Sequence, residues 1–196
     1  MANLFDTLER EAFRAGITPR TKESREWFRK KLQSMRRVNR NQLMKQEPIT
    51  LANDVRAGAM VMFFYDPKTK DTLPYYDSFP LTILVDRADD GFYGLNLHYL
   101  PPMLRAKFLD GLMDITDDKK ITDKSKFAVT YQYLKRASNM KYFKPCFKKY
   151  LLGHMRSKFA VVPGPEWEIA TFLPSADFQK AGKNKVYSDS RKIING

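Results

Sequence analysis

Two histidines, one cysteine and a scatter of aspartates are the residues of this chain whose types could carry bond chemistry. His98 falls in the run FYGLNLHYL and His154 in LLGHM, and no Cys, Asp or Glu stands at metal-ligand spacing from either. A structural role is therefore the reading for both, and no metal or other cofactor is expected. Cys146, in FKPCFKK, has basic neighbours that favour a thiolate, but neither histidine can be placed beside it as a base, so it reads as a buried bystander. Asp66, Asp71, Asp77 and Asp86 have the residue type of a two-metal nuclease. Their contexts are those of turns, with no acid-x-Lys arrangement behind them. The chain also lacks a phosphate-cradling glycine loop and a dinucleotide fingerprint. An enzyme is not expected.

Charge stands out instead. The 196-residue chain has a formal net charge of +13, unevenly spread. From Arg20 to Lys45 ten basic residues face only Glu23 and Glu26, and from Lys135 to Lys158 eight basic residues face no acid. Between Thr50 and Asp118 the balance reverses, with six basic residues against eleven acidic. Like charges crowded along a segment repel, and such segregation points to a polyanionic partner. The residues expected to meet phosphate are Arg25, Arg29, Lys30, Arg36, Arg37 and Arg40 in the first basic segment, and Lys148, Lys149, Arg156 and Lys158 in the second. Aromatic residues lie among them, Trp27 and Phe28 in one, Tyr133, Tyr142, Phe143, Phe147 and Tyr150 in the other. These either stack on bases or anchor helices to a core. Without a zinc-finger, homeodomain or RNP signature, the contact reads as one to double-stranded DNA through its backbone, with little sequence specificity.

The elements that must position these charges follow from periodicity. Asn3 caps a helix with Leu4, Phe5, Leu8 and Ala12 on one side, ended by Gly16. Thr21 caps a second helix in which Phe28, Leu32 and Met35 recur at helical spacing. The run GAMVMFFYD reads as a strand, PKTKDTLPYYDSFP as a loop, and LTILVDR and FYGLNLHYL as strands joined at Ala88-Asp89-Asp90-Gly91, with Gly91 suited to positive φ. A helix follows in MLRAKFLDGLMDI, and broken helical stretches extend from Lys126 to about His154. RSKFAVV and EWEIATFLP read as two further strands. The expected fold class is α+β: N-terminal helices, a small bent antiparallel sheet or SH3-like barrel of about five strands with a helical insertion, and a basic C-terminal tail. The domain organisation is a helical, basic N-terminal arm over 1–49, an α+β core over 50–178 with its basic helical insertion near 126–155, and a basic tail over 179–196. The acidic, aromatic middle is then scaffold, with Tyr75, Phe79, Tyr93 and Leu97 in its core.

The opening LFDTLEREAFRAG, the run GAMVMFFYDPKTKDTLPYYDSFPL, then GFYGLNLHYLPPMLRAKFLDGL and PEWEIATFLPSADFQKAGKNKVYSDSRK carry a further signal. Together they resemble the DNA end protector proteins of T-even-type contractile-tailed bacteriophages and their marine relatives. The resemblance spans most of the chain and rests on overall texture rather than on a short motif. It implies a minor virion protein, assembled in the bacterial host cytoplasm and added to the filled head. Such a protein binds the ends of the packaged linear duplex, shields them from host exonuclease and completes the head for tail joining. Its further partners would be virion proteins of the portal, neck or tail region, with no membrane. The alternative is a purely structural neck, tail or baseplate component whose basic arms grip other virion proteins.

Overall fold

The computed structural model describes residues 3–116 and 123–196. The chain opens with helix α1, Leu4–Arg14. The Asn3 side chain accepts from the Phe5 N–H at 3.0 Å, and Phe5, Leu8 and Ala12 are buried. Gly16 then turns the chain at φ 73°, a conformation that costs glycine little. Helix α2, Lys22–Gln33, starts with a reciprocal cap: Thr21 Oγ1 accepts from Ser24 N–H at 3.1 Å and Ser24 Oγ from Thr21 N–H at 2.9 Å. Its buried stripe is Arg25, Phe28 and Leu32. A single turn, α3 (Arg40–Leu43), follows under an Asn39 cap.

The strands are β1 (Thr50–Ala52), β2 (Met60–Met62), β3 (Tyr76–Asp77), β4 (Leu81–Ala88), β5 (Gly91–Asn96), β6 (Phe147–Leu151), β7 (Phe159–Val162) and β8 (Phe178–Gln179). Six of them form one open antiparallel sheet in the order β1-β7-β2-β4-β5-β6, while β3 and β8 make a separate two-stranded ribbon. The architecture is α+β with a bent sheet. It does not close into a barrel, because β1 and β6 end as edges rather than pairing with each other. One face packs Met60, Met62, Leu81, Ile83, Val85 and Leu95 into the main core with the helices. The other holds a smaller aromatic cluster in which the Phe63 ring meets Tyr65, Phe92, Tyr150 and Phe159 edge-on, with centroids 5.2 to 6.1 Å apart. Phe79 and Leu97 are buried core residues as expected, whereas Tyr75 and Tyr93 are half-buried, Tyr93 stacking on Phe147.

The remaining helices are α4 (Pro102–Thr116), α5 (Asp123–Asn139), α6 (Trp167–Phe172) and α7 (Lys183–Asn195). Four local readings change. The run EWEIATFLP is helix α6 and not a strand: Glu168 is buried against α2, where its carboxylate accepts from Ser24 Oγ at 2.6 Å, and the apparent strand alternation is lost. FKKYL, inside the stretch read as helical, is strand β6, which completes the β5 edge. The segment read as a tail carries α7, whose Val186, Ser190 and Ile194 are buried at a spacing of four. Gly91 is not at positive φ. It is needed because a Cβ there would lie 1.8 Å from the Tyr150 carbonyl oxygen of the neighbouring strand. The N-terminal helices are docked as well, since Phe5, Leu8, Phe28 and Leu32 join the same core as the sheet.

Candidate nucleic-acid interface

The ten cations singled out above have different environments. Arg25 is 3% exposed and is held by Asp110 and Glu168, so it belongs to the packing of α2 on α4 and α6. Arg40 donates to the Ser175 carbonyl at 2.8 Å and the Ala176 carbonyl at 2.6 Å, and lies 3.2 Å from Asp177. Its position pins the 175–177 segment. Arg29 grips Glu26 with two hydrogen bonds, at 2.8 and 2.6 Å, which hold the Glu26 carboxyl at about 2. Lys30 is exposed, 3.5 Å from the same carboxylate. Lys149 pairs with Asp90 at 2.7 Å and Arg156 with Asp66 at 3.3 Å, both on the surface. Arg36, Arg37 and Lys158 are exposed and form no ion pair among the described residues. Lys148 is half-buried, its ammonium 4.2 Å from the centre of the Tyr99 ring.

The fold brings part of this set into one groove of about 860 Å³ between the end of α2, the start of α4, the 172–182 segment and α7. Arg29 and Arg37 stand on one wall and Lys183 and Arg191 on the other. Arg105 lies at 4% exposure between them. Its guanidinium donates to the carbonyls of Leu100 at 2.7 Å, Thr171 at 3.1 Å and His98 at 3.2 Å, and to the Tyr187 hydroxyl at 2.6 Å. Every one of these acceptors is neutral, so the charge of Arg105 reaches the groove uncancelled by a bonded carboxylate. No Asp or Glu is among the described residues that line the groove. Two helix starts open into it: Pro102 of α4 and Lys183 of α7, whose Gly182 cap supplies no side-chain acceptor for the free N–H groups. Helix N-termini add positive potential to that of the cations. Tyr142 and Met103, both about half exposed, lie along the same surface.

Such a groove can cradle a polyanion. Arg105, Lys183, Arg191 and Tyr187 were absent from the expected set. Arg105 stands in the acidic middle of the sequence, and the last three in the segment read as a tail. The available signal was KNKVYSDSRK itself, where Lys183, Tyr187 and Arg191 recur every four residues and so share one helical face.

Beneath the groove lies a buried polar chain. His98 Nδ1 donates to Asp77 Oδ2 at 2.7 Å, and His98 Nε2 accepts from Ser175 Oγ at 3.1 Å. The other bonds to the Asp77 carboxylate come from Asn96 Nδ2 at 3.1 Å and from the N–H groups of Phe79 and Asp177, each at 3.0 Å. These donors hold Asp77 ionised despite its burial, and burial holds the His98 imidazole below its usual range, hence neutral. The connectivity is that of a Ser-His-Asp triad. All three side chains are nonetheless closed off from solvent, with His98 and Ser175 fully buried, so Ser175 has no face open to a substrate. What the chain of bonds does is fasten β3, the turn after β5 and the 175–177 segment together. Cys146 is likewise enclosed, and burial pushes its thiol up to about 12, the reverse of the activation its basic neighbours suggested. Among the described residues, no group of three or more His, Cys, Asp or Glu is placed to hold a metal ion, and no helix is long and apolar enough to cross a membrane.

Residues 1–195 match the family described as Phage T4 terminal DNA protecting protein. No curated protein and no solved structure matches the chain. The match covers nearly every residue, including all of the helices and strands that build the basic groove, and the chain therefore belongs to the family of phage T4 terminal DNA protecting proteins.

Proposed function

We propose that this protein binds the ends of linear double-stranded phage DNA in the virion, shields them from host exonuclease without itself breaking bonds, and completes the head for tail joining. The basic groove carries this reading: five cations and two helix N-termini, with no acid among the described lining residues, form a surface suited to phosphate backbone. Occupancy is the mechanism. A cationic seat at the terminus competes with a nuclease for the same phosphates. The test is a protection assay in which purified protein and Mg²⁺ are added to linear duplex before a processive exonuclease. Slower digestion that fades as salt rises is the expected result. Metal-dependent shortening of the duplex by the protein alone would overturn it.

A structural role in the neck or tail draws on a different observation. Phe13 on α1 is 80% exposed and Leu51 on the open edge strand β1 is 51% exposed, which gives virion proteins of the portal, neck or tail a surface to grip. Duplex binding that persists after Phe13→Ser, with loss of incorporation into particles, would assign this surface to assembly and the groove to DNA.

A further inference from the structure

A second cavity, of about 330 Å³, lies beside the groove. Its walls include Tyr65, Tyr75, Tyr76, Tyr99 and Tyr150, and Lys148 projects among them. The Lys148 ammonium rests on the Tyr99 ring and has no ion pair among the described residues, unlike Arg25 and Arg40, which are held by carboxylates. Burial also depresses the Lys148 pKa, a sign that water does not fully replace the missing partner. Asp77 reaches the cavity, but its two oxygens are already engaged by four donors. Lys68 and Lys149 stand at its edge. The volume is within the range of small-ligand sites, about 300–1,000 Å³. Aromatic walls around a cation are the chemistry that stacks a base and holds its phosphate.

Position adds the second argument. Phe178 lines the groove, Tyr99 lines the cavity, and the two rings touch at 5.2 Å. Helix α7 is shared in the same way: Tyr187 and Arg191 face the groove, while Asp189 meets the Tyr75 hydroxyl. A duplex that ends at the Phe178 side of the groove would meet the tyrosines with its last nucleotide. We propose that the tyrosine cavity receives the frayed terminal nucleotide of the DNA, its base stacked on tyrosine and its phosphate on Lys148. This rests on the groove being the duplex seat, and it makes the cavity the device that distinguishes an end from the middle of a duplex. Opening the last pair costs less than flipping an internal base, so the selection favours ends.

The experiment has two arms, both with the full chain. In the first, dAMP, deoxyadenosine and inorganic phosphate are titrated against the protein and followed by tyrosine fluorescence. The nucleotide should bind more tightly than either fragment, and Lys148→Met, which keeps the buried stem, should weaken it about 10- to 100-fold. In the second, a linear duplex is compared with a closed circle of equal length. The wild type should prefer the linear form, and Lys148→Met should erase the preference while leaving affinity for the circle unchanged. Binding of dAMP no tighter than phosphate, or equal affinity for line and circle, would overturn the proposal. Affinity for the circle and its salt dependence read the groove alone, so failure of the duplex seat is seen separately. The wild-type titrations decide the matter even if the variant does not fold.

Discussion

The Phe178 ring meets the Tyr99 ring at 5.2 Å, edge to face, and this contact is the partition between the basic groove and the tyrosine cavity. Behind it, Ser190 Oγ donates to the Tyr99 carbonyl at 2.7 Å, which ties α7 to the same wall. Removing the partition tests whether the two cavities act as one surface. Phe178→Ala should reduce exonuclease protection more than it reduces affinity for circular DNA, while the melting temperature falls by the equivalent of a few kcal/mol at most.

Charge reversal at Arg37, Lys183 and Arg191 should weaken binding to duplexes of any sequence. The slope of log K against log salt should become shallower by about 3 when these three phosphate contacts are lost. Thermal stability should change by no more than about 0.5 kcal/mol per site, since all three side chains are exposed or at the rim of the groove. A slope unchanged in the triple variant would remove the groove from DNA binding.

Arg25 should behave in the opposite way. Arg25→Met leaves Glu168, 2% exposed, and Asp110 without their cation, and should cost about 3–5 kcal/mol in denaturant unfolding. The protein that remains folded should bind DNA as before. A stable Arg25→Met variant with weakened DNA binding would reverse this assignment.

Glu166 gives a pH signature. Burial, with Glu9 and Asp6 nearby, pushes its carboxyl up to about 7 from an ordinary value of 4.5. The folded state then holds a proton that the unfolded state releases between these values, so this group makes stability fall as pH rises from about 4.5 to about 7 and has no further effect above. Glu166→Gln should match the wild type below pH 4.5 and be more stable at pH 7 and above. The gain should be about 1 kcal/mol once solvent screening is allowed for. Melting curves across that range check it, and a gain confined to low pH would contradict it.

Gly91→Ala should be among the most damaging single changes outside the helices. The added methyl meets the backbone of β6 rather than a side chain that can swing away, so strands β5 and β6 must separate. A loss of about 3 kcal/mol or more in denaturant unfolding is expected. It would spare the groove, which contains no residue of either strand.

The helix caps at Asn3 and Thr21 and the strands at Val61, Ile83 and Leu95 were legible in the sequence because cap chemistry and alternation are local signals. Residues 167–172 were not, because Glu168 is buried by partners more than 140 positions away, Arg20 and Ser24, and no local pattern records that. Strand β6 failed for a related reason: Lys148 sits on a ring contributed by Tyr99, so a cation occupies a place where periodicity expects an apolar side chain. Charge showed that a polyanion was to be met but not where. Counting cations cannot separate Arg25, spent on Asp110 and Glu168, from Arg37, which is free to meet a phosphate. It also passed over Arg105, which belongs to a segment of net negative charge and whose neighbours in space are carbonyls.

The walls of the groove come from residues near 29–37 and near 181–195, some 150 positions apart along the chain. A phosphate backbone bonded to both would act as a staple across that loop. Bound DNA should then slow the undocking of α7 in particular, and amide exchange in residues 186–194 should report the complex more sensitively than exchange in the sheet. Release of the nucleic acid would then be a local unfolding event, timed by how often one helix lifts from its seat.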